Sequence, residues 1–235
     1  MTISFLILGA GRFGRLAVAR ISQRNPASTI TVVDGDPVDL RGANGRPVET
    51  VVRDGIDYLC EHLRAQTPSL VVVPSIPVHV AFEWLLRALA GKTKVERAPV
   101  PGNIELPNAT LGRTGDLYAS HADFLCPDDC PEPPKACPIT KESRGKPMFQ
   151  RIAELSSPAL PVRCIRSEQI APGVGGYRME SLLSMQQQVA QLRGLVLIGT
   201  ACSCHGVVSA LRLSAERATA GWPTDSRHRP QSPGV

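Results

Sequence analysis

An apolar strand that runs straight into a G-x-G-x-x-G turn and then into a helix leaves few folds open. Residues Phe5-Leu6-Ile7-Leu8-Gly9-Ala10-Gly11-Arg12-Phe13-Gly14 make that passage. In such a turn the first glycine allows the sharp bend, the second lets a pyrophosphate approach the backbone, and the third lets helix and strand pack closely. Gly9, Gly11 and Gly14 hold those three places, and the helix start at Arg12 and Phe13 offers unpaired N–H groups and a positive dipole end to an anion. A second strand follows over Ser28 to Asp34, STITVVD. Its terminal Asp34 comes about twenty residues after Gly14, where a carboxylate can bind a ribose diol.

The rest of the chain reads as an alternation of strands and helices. Arg12 to Arg24 has apolar residues on a helical rhythm and stops at Asn25-Pro26. Pro47 to Arg53 is a third strand, Asp54 caps a helix running to about Gln66 with Cys60 on its apolar face, and Ser69 to Pro74 is a fully apolar fourth strand of the buried parallel kind. A helix from Val80 to Ala90 closes at Gly91. The loop between them, with Ser75 and His79, is expected at the carboxyl edge of the sheet, beside a nucleotide. Lys92 to Thr114, broken by Pro99, Pro101 and Pro107, reads as a connector with at most one short strand. Beyond it come a helical run over Met148 to Leu155, a strand over Leu160 to Arg166 and a glycine turn with Gly173, Gly175 and Gly176 that opens a helix to Leu192. A last strand over Leu195 to Thr200 and a closing helix over Val207 to Leu213 complete the pattern.

This order predicts an α/β protein: a doubly wound, mostly parallel, Rossmann-like sheet with a Cys/Pro-rich inserted loop and a disordered C-terminal tail. The expected divisions are a dinucleotide-binding half over 1–97 and a connector with the cysteine-rich loop over 98–147. A second α/β part over 148–218 would complete the same sheet, and the tail would occupy 219–235.

Composition narrows the function classes. The net charge of +5 is modest and spread along the chain, and aromatic residues are only 4%, so neither a basic footprint nor stacking platforms for nucleic acid are expected. No stretch approaches the ~20 apolar residues of a membrane span, and the first residues lack the basic region of a secretory signal. A cytoplasmic protein without a membrane span is expected, with a small-molecule substrate or a redox partner protein and room for self-association.

Seven cysteines in a reducing compartment point to thiols, metal ligands or redox centres over disulfides. Cys126, Cys130 and Cys137 are each followed by proline, and Cys202-Ser203-Cys204-His205 follows the last apolar strand. Core packing does not explain five cysteines in two short loops. Thiolates suit zinc and iron–sulfur clusters. The C-x3-C and C-x6-C spacings depart from the paired C-x-x-C of zinc ribbons and match no ferredoxin run, so iron–sulfur cluster, zinc and thiol redox chemistry all stay open. The candidate metal ligands are Cys126, Cys130, Cys137, Cys202, Cys204 and His205. In the redox reading, Cys202 or Cys204 sits at a helix N-terminus that favours its thiolate, helped by His205. The candidate catalytic residues are His79, Cys202, Cys204 and His205.

Residues 5 to 36, ILGAGRFGRLAVARI followed by TVVDGDP, resemble the N-terminal NAD-binding domain of the TrkA-type (RCK) potassium-transport regulators. The resemblance covers about the first ninety residues. It implies that Gly9, Gly11 and Gly14 hold the pyrophosphate of NAD(H) and Asp34 the adenosine ribose. Two functions follow as expectations: an NAD-dependent oxidoreductase with a thiolate-bound metal or cluster near the nicotinamide, or a module that senses NAD(H) without turnover. Asp34 repels a 2′-phosphate, so NAD is expected to bind more tightly than NADP; tighter NADPH binding in a titration of both would overturn the role given to Asp34.

Overall fold

The computed structural model describes residues 3–41, 48–63, 69–91, 93–133 and 135–214. In chain order the first part contains β1 (Ser4–Leu8), α1 (Arg12–Arg24), β2 (Thr29–Asp34), α2 (Pro37–Leu40), β3 (Val48–Val52), α3 (Gly55–His62), β4 (Leu70–Pro74) and α4 (Val80–Leu89). There follow β5 (Lys94–Ala98), β6 (Thr110–Leu111), β7 (Leu117–Ser120) and α5 (Met148–Glu154). The last part contains β8 (Val162–Arg166), β9 (Glu168–Ala171), β10 (Val174–Arg178), α6 (Met179–Ala190), β11 (Gly194–Ala201) and β12 (His205–Ser214).

Local chemistry sets the early boundaries. Asp54 caps α3 by accepting from the amides of Ile56 and Asp57, which holds its carboxyl below the usual range, the Asp57 amide being the largest cause. Asp36 caps α2 through the Val38 amide, with Pro37 at the first helical position. Gly9 has a φ of +106°, and a Cβ there would meet the Ser75 carbonyl. A Cβ on Gly14 would overlap the Gly9 carbonyl oxygen, so close packing of α1 on β1 demands glycine.

The protein is α/β, but one mostly parallel sheet is not what forms. There are two mixed sheets of six strands. The first has the order β3-β2-β1-β4-β10-β9. Its first four strands are parallel, and the β9–β10 hairpin closes its edge antiparallel to β4. The second has the order β6-β7-β12-β11-β8, with β5 also paired to β12. Only β8 and β11 run parallel in it; the other pairings are antiparallel.

Four corrections follow. The segment read as a closing helix over Val207 to Leu213 is the long central strand β12, because an apolar run this short satisfies either period and pairing on both sides decides it. Gly173 to Gly176 do not open a helix: Gly173, with φ +67°, makes the tight turn of the β9–β10 hairpin, and Gly175 and Gly176 lie in β10. The part beyond residue 148 does not simply complete the first sheet, since β9 and β10 join it while β8, β11 and β12 build the second. The connector is also richer than expected, supplying β5 and β6. The predicted tail over 219–235 lies outside the described residues.

The two sheets share a layer of helices. One core cluster joins Leu6, Leu8 and Val72 of the first sheet to Phe82, Leu85 and Leu89 of α4 and to Leu182, Met185 and Val189 of α6. It continues into Ile165, Val196, Ile198 and Leu211 of the second sheet. A second cluster packs α1 and α2 on the outer face of the first sheet. A third packs α5 on the outer face of the second. The layers therefore run helix, sheet, helix, sheet, helix. Among the described residues no helix is long and apolar enough to cross a membrane.

Gly14→Ala has to push α1 off β1 or distort the Gly9 turn, and is expected to lower stability by about 3 kcal/mol or more, toward the severe end for single substitutions. Urea unfolding measures it; a loss under ~0.5 kcal/mol, the range of an ordinary surface change, would contradict the packing described.

Candidate functional site

A cavity of about 1190 Å³ opens where the two sheets present their loop ends to each other. Its walls come from distant parts of the chain: Phe13 at the start of α1, Pro74 at the end of β4, the β9–β10 turn, the β11–β12 turn and the long segment between β7 and α5. Cys126, Cys130, Cys137, Cys202, Cys204 and His205 all line it. The structure thus brings all six sequence-predicted metal-ligand candidates to one cleft.

The cysteine-rich segment is held by backbone contacts to both sheets. The Cys130 carbonyl accepts from the Gly173 amide at 3.1 Å and from the Gln169 side chain at 2.7 Å. The Asp128 carbonyl accepts from Arg20 at 2.7 Å, and the Asp128 carboxylate is ion-paired with Arg12. A Cβ on Gly173 would collide with the Asp128 carbonyl, so the hairpin turn and the cysteine loop fit only because residue 173 is glycine. On the other wall the Glu132 carboxylate accepts from the Ser203 amide at 2.6 Å, which ties the loop to the β11–β12 turn.

Two sulfurs sit in turns of the same kind. The Cys202 sulfur accepts from the amides of Cys204 at 3.4 Å and His205 at 3.3 Å, two and three residues on. The Cys137 sulfur is likewise bonded by the amides of Thr140 and Ile139, which lower its pKa, Thr140 being the largest cause. Amides aimed at sulfur favour the thiolate. At Cys202 burial outweighs them and pushes the thiol up to about 12. Burial also pushes Cys204 up to about 11 and raises Cys126. His205 stands between two thiols, its Nε2 3.6 Å from the Cys126 sulfur and its Nδ1 3.9 Å from the Cys202 sulfur. Burial lowers its pKa, so it is a neutral imidazole at neutral pH.

Cys202 and Cys204 were expected at the N-terminus of a closing helix. They lie instead in the β11–β12 turn, where the Met148 and Phe149 amides at the start of α5 donate to the carbonyls of Ser203 and Cys202. The uncomplexed Cys202 and Cys204 are protonated at neutral pH, which removes the basis for an activated thiolate there. Thiols of this kind deprotonate on binding a cation that takes the charge. Among the described residues no group of three or more His, Cys, Asp or Glu side chains is placed to hold a metal ion as it stands. Cys126, Cys130, Cys137 and Cys204 are nonetheless near enough to act on one another electrostatically, Cys130 and Cys137 on Cys126 and Cys130 and Cys126 on Cys204.

His79 is not brought to the cleft. It is 3% exposed, with Nδ1 2.7 Å from the Ser209 hydroxyl and Nε2 3.2 Å from the Thr200 hydroxyl. Ser209 in turn donates to Asp116, and Asp116 is ion-paired with Arg97 at 2.9 Å. This buried chain joins the start of α4 to β11 and β12. The expectation failed because the start of α4 packs on the second sheet where the sequence suggested a nucleotide crevice.

Of the residues expected to hold a nucleotide, Phe13 lines the cleft and is 56% exposed. Gly9, Gly11, Arg12 and Gly14 form the turn beside it. Asp34 accepts from the Ala10 amide at 2.6 Å and the Asp36 amide at 2.8 Å, so its carboxylate braces the glycine turn. The Ser75 amide donates to the Leu8 carbonyl at 2.8 Å, which sets the loop after β4 against that turn. The first helical turn of α1 has no side-chain cap and no acidic residue.

Arg144, Glu132 and Asp128 are cleft residues that the sequence reading missed. Charges inside a segment already marked by cysteine and proline were the available signal.

The fold and site define an α/β protein with a thiol-lined cleft between two mixed sheets. Residues 81–214 match the family described as AF_1314_C, uncharacterized protein, C-terminal domain, and the chain belongs to it. That match spans α4 to β12 and so contains both cysteine loops. The chain is also similar to an uncharacterized protein of Archaeoglobus fulgidus, 27% identical over 225 residues, covering 88% of this chain and 98% of the relative.

Burial lowers the His79 pKa from 6.5 to about 4. The unfolded chain therefore binds the proton first as pH falls, and stability complete above pH 6.5 is lost between there and pH 4, by about 3 kcal/mol for this group. His79→Gln is expected to flatten the fall in melting temperature over that window. An imidazole signal for His79 that titrates near 6.5 would contradict its burial.

Proposed function

We propose that this protein is a redox protein that binds NAD(H) at the β1–α1 turn and holds a thiolate-ligated metal or iron–sulfur cluster in the adjoining cleft. The observation that carries the reading is the convergence of five cysteines and one histidine, from two segments far apart in sequence, on one cavity whose wall includes Phe13 of the glycine-rich turn. A doubly wound nucleotide-binding half is the reading best supported for β1 to β4, from their parallel order and the forced glycines at 9 and 14.

A thiolate set drawn from these cysteines suits either an iron–sulfur cluster or a tetrahedral zinc ion. The amide hydrogen bonds to Cys202 and Cys137 are of the kind that stabilise ligating thiolates and tune a cluster's potential. A bound cluster supplies one-electron transfer. The chain's own residues hold the sulfurs and set the glycine turn beside them. The second substrate is a small molecule or a redox partner protein.

A second reading is a sensor of NAD(H) without turnover. It is favoured by the Arg12–Asp128 ion pair and the Arg20 contact, which link the start and middle of α1 mechanically to the cysteine loop.

Anaerobically purified protein is expected to carry iron with acid-labile sulfide, or zinc, and to lose most of it in Cys126→Ser and Cys204→Ser. Protein free of any metal would sink the metal reading. NADH is expected to bind at least tenfold more weakly to Asp34→Ala. Turnover of NADH with an artificial acceptor, lost in Cys204→Ser with NADH binding intact, marks the enzyme; binding without turnover over a broad screen of acceptors marks the sensor.

A further inference from the structure

Arg144 is a cation whose opposing charge is missing. It is 7% exposed and lines the cleft together with Cys126, Cys130, Cys137 and Cys204. Its Nη2 lies 4.0 Å from the Cys130 sulfur. Its Nε and Nη1 are buried with no hydrogen-bond partner. Among the described residues it takes part in no ion pair with a carboxylate. Glu132, on the same wall, is turned to the Ser203 amide.

A guanidinium does not shed its proton in a protein, and a buried charge without a partner is strongly unfavourable. Because Nε and Nη1 are closed off from solvent, a free anion does not reach them without displacing protein. The opposing charge has to arise on groups already packed around the guanidinium, and the Cys130 sulfur is in contact with it.

We propose that Arg144 is the built-in counter-charge of an anionic thiolate complex, in which the bound metal group carries more thiolate charge than metal charge. The inference rests on the thiolate-ligation reading above and narrows it. A divalent ion with three or four thiolates is an anion overall, whereas one held by two thiolates and neutral imidazole is not. The ligand set is therefore drawn mainly from Cys126, Cys130, Cys137 and Cys204, with His205 and Cys202 as support. Arg144 is a positioning residue: it stabilises the thiolates without touching the metal.

The test uses Co²⁺ added to the metal-free full-length protein, read by its thiolate charge-transfer band and by competition with a chelator. Arg144→Gln is expected to weaken Co²⁺ binding about 10–100-fold, the range for partners that support metal ligands, while Arg144→Lys, which keeps the charge, stays closer to the wild type. In the metal-free state Arg144→Gln is expected to melt no lower than the wild type, because the lost cation had no partner there. Opposite signs in the two states are not produced by a residue that merely packs. Binding by Arg144→Gln as tight as in the wild type overturns the proposal, and so does a clearly lower melting temperature of the metal-free variant. A charge-transfer band in the wild type that reports fewer than three thiolates also overturns it. A wild type that binds Co²⁺ through no thiolate at all brings down the thiolate-ligation reading itself, and the Arg144 inference with it.

Discussion

The apolar layer of α4 and α6 is the constraint on which the rest of the structure depends. Both helices bury residues toward two sheets at once, and Phe82, Leu85, Leu89, Leu182 and Val189 are almost entirely withdrawn from solvent. A helix covered on both sides must be apolar nearly all round, and α4, with the sequence VAFEWLLRAL, is. Fixing these helices fixes the relation of one sheet to the other. The cleft is the place where their loop ends face each other across that layer.

Polar groups finish the joint. The chain Arg97, Asp116, Ser209, His79 and Thr200 runs through the interior from β5 to the start of α4, and each buried member has a partner. Such a network adds direction to a contact that hydrophobic burial alone leaves free to slide. It also explains why a histidine in a promising loop belongs to the scaffold.

The first four strands and their helices were legible because each signal was local: a period, a cap, a glycine that only one backbone conformation accepts. Asp54 announced α3, and the six metal-ligand candidates were recognisable as two clusters from residue type, with proline after Cys126, Cys130 and Cys137. The second sheet was not legible. Val207 to Leu213 satisfies a helical rhythm as well as a strand, and only pairing with β11 on one side and β5 and β7 on the other settles it. Those pairings join residues far apart in sequence, which no window of neighbouring residues can report. Arg144 escaped for a related reason, since an arginine is normally exposed and its burial depends on the loop folding back over it.

The cleft's thiols come from either side of the β8 to β11 region, and this orders events in time. Cys126, Cys130 and Cys137 are made well before Cys202 and Cys204, and the later pair takes its position only when β12 has folded back on β11 and found β7. Until then the earlier loop presents three thiols with one wall of their site missing. On a chain emerging from its N-terminus, completion of the cleft is therefore a late event, one that waits for the last strand of the second sheet.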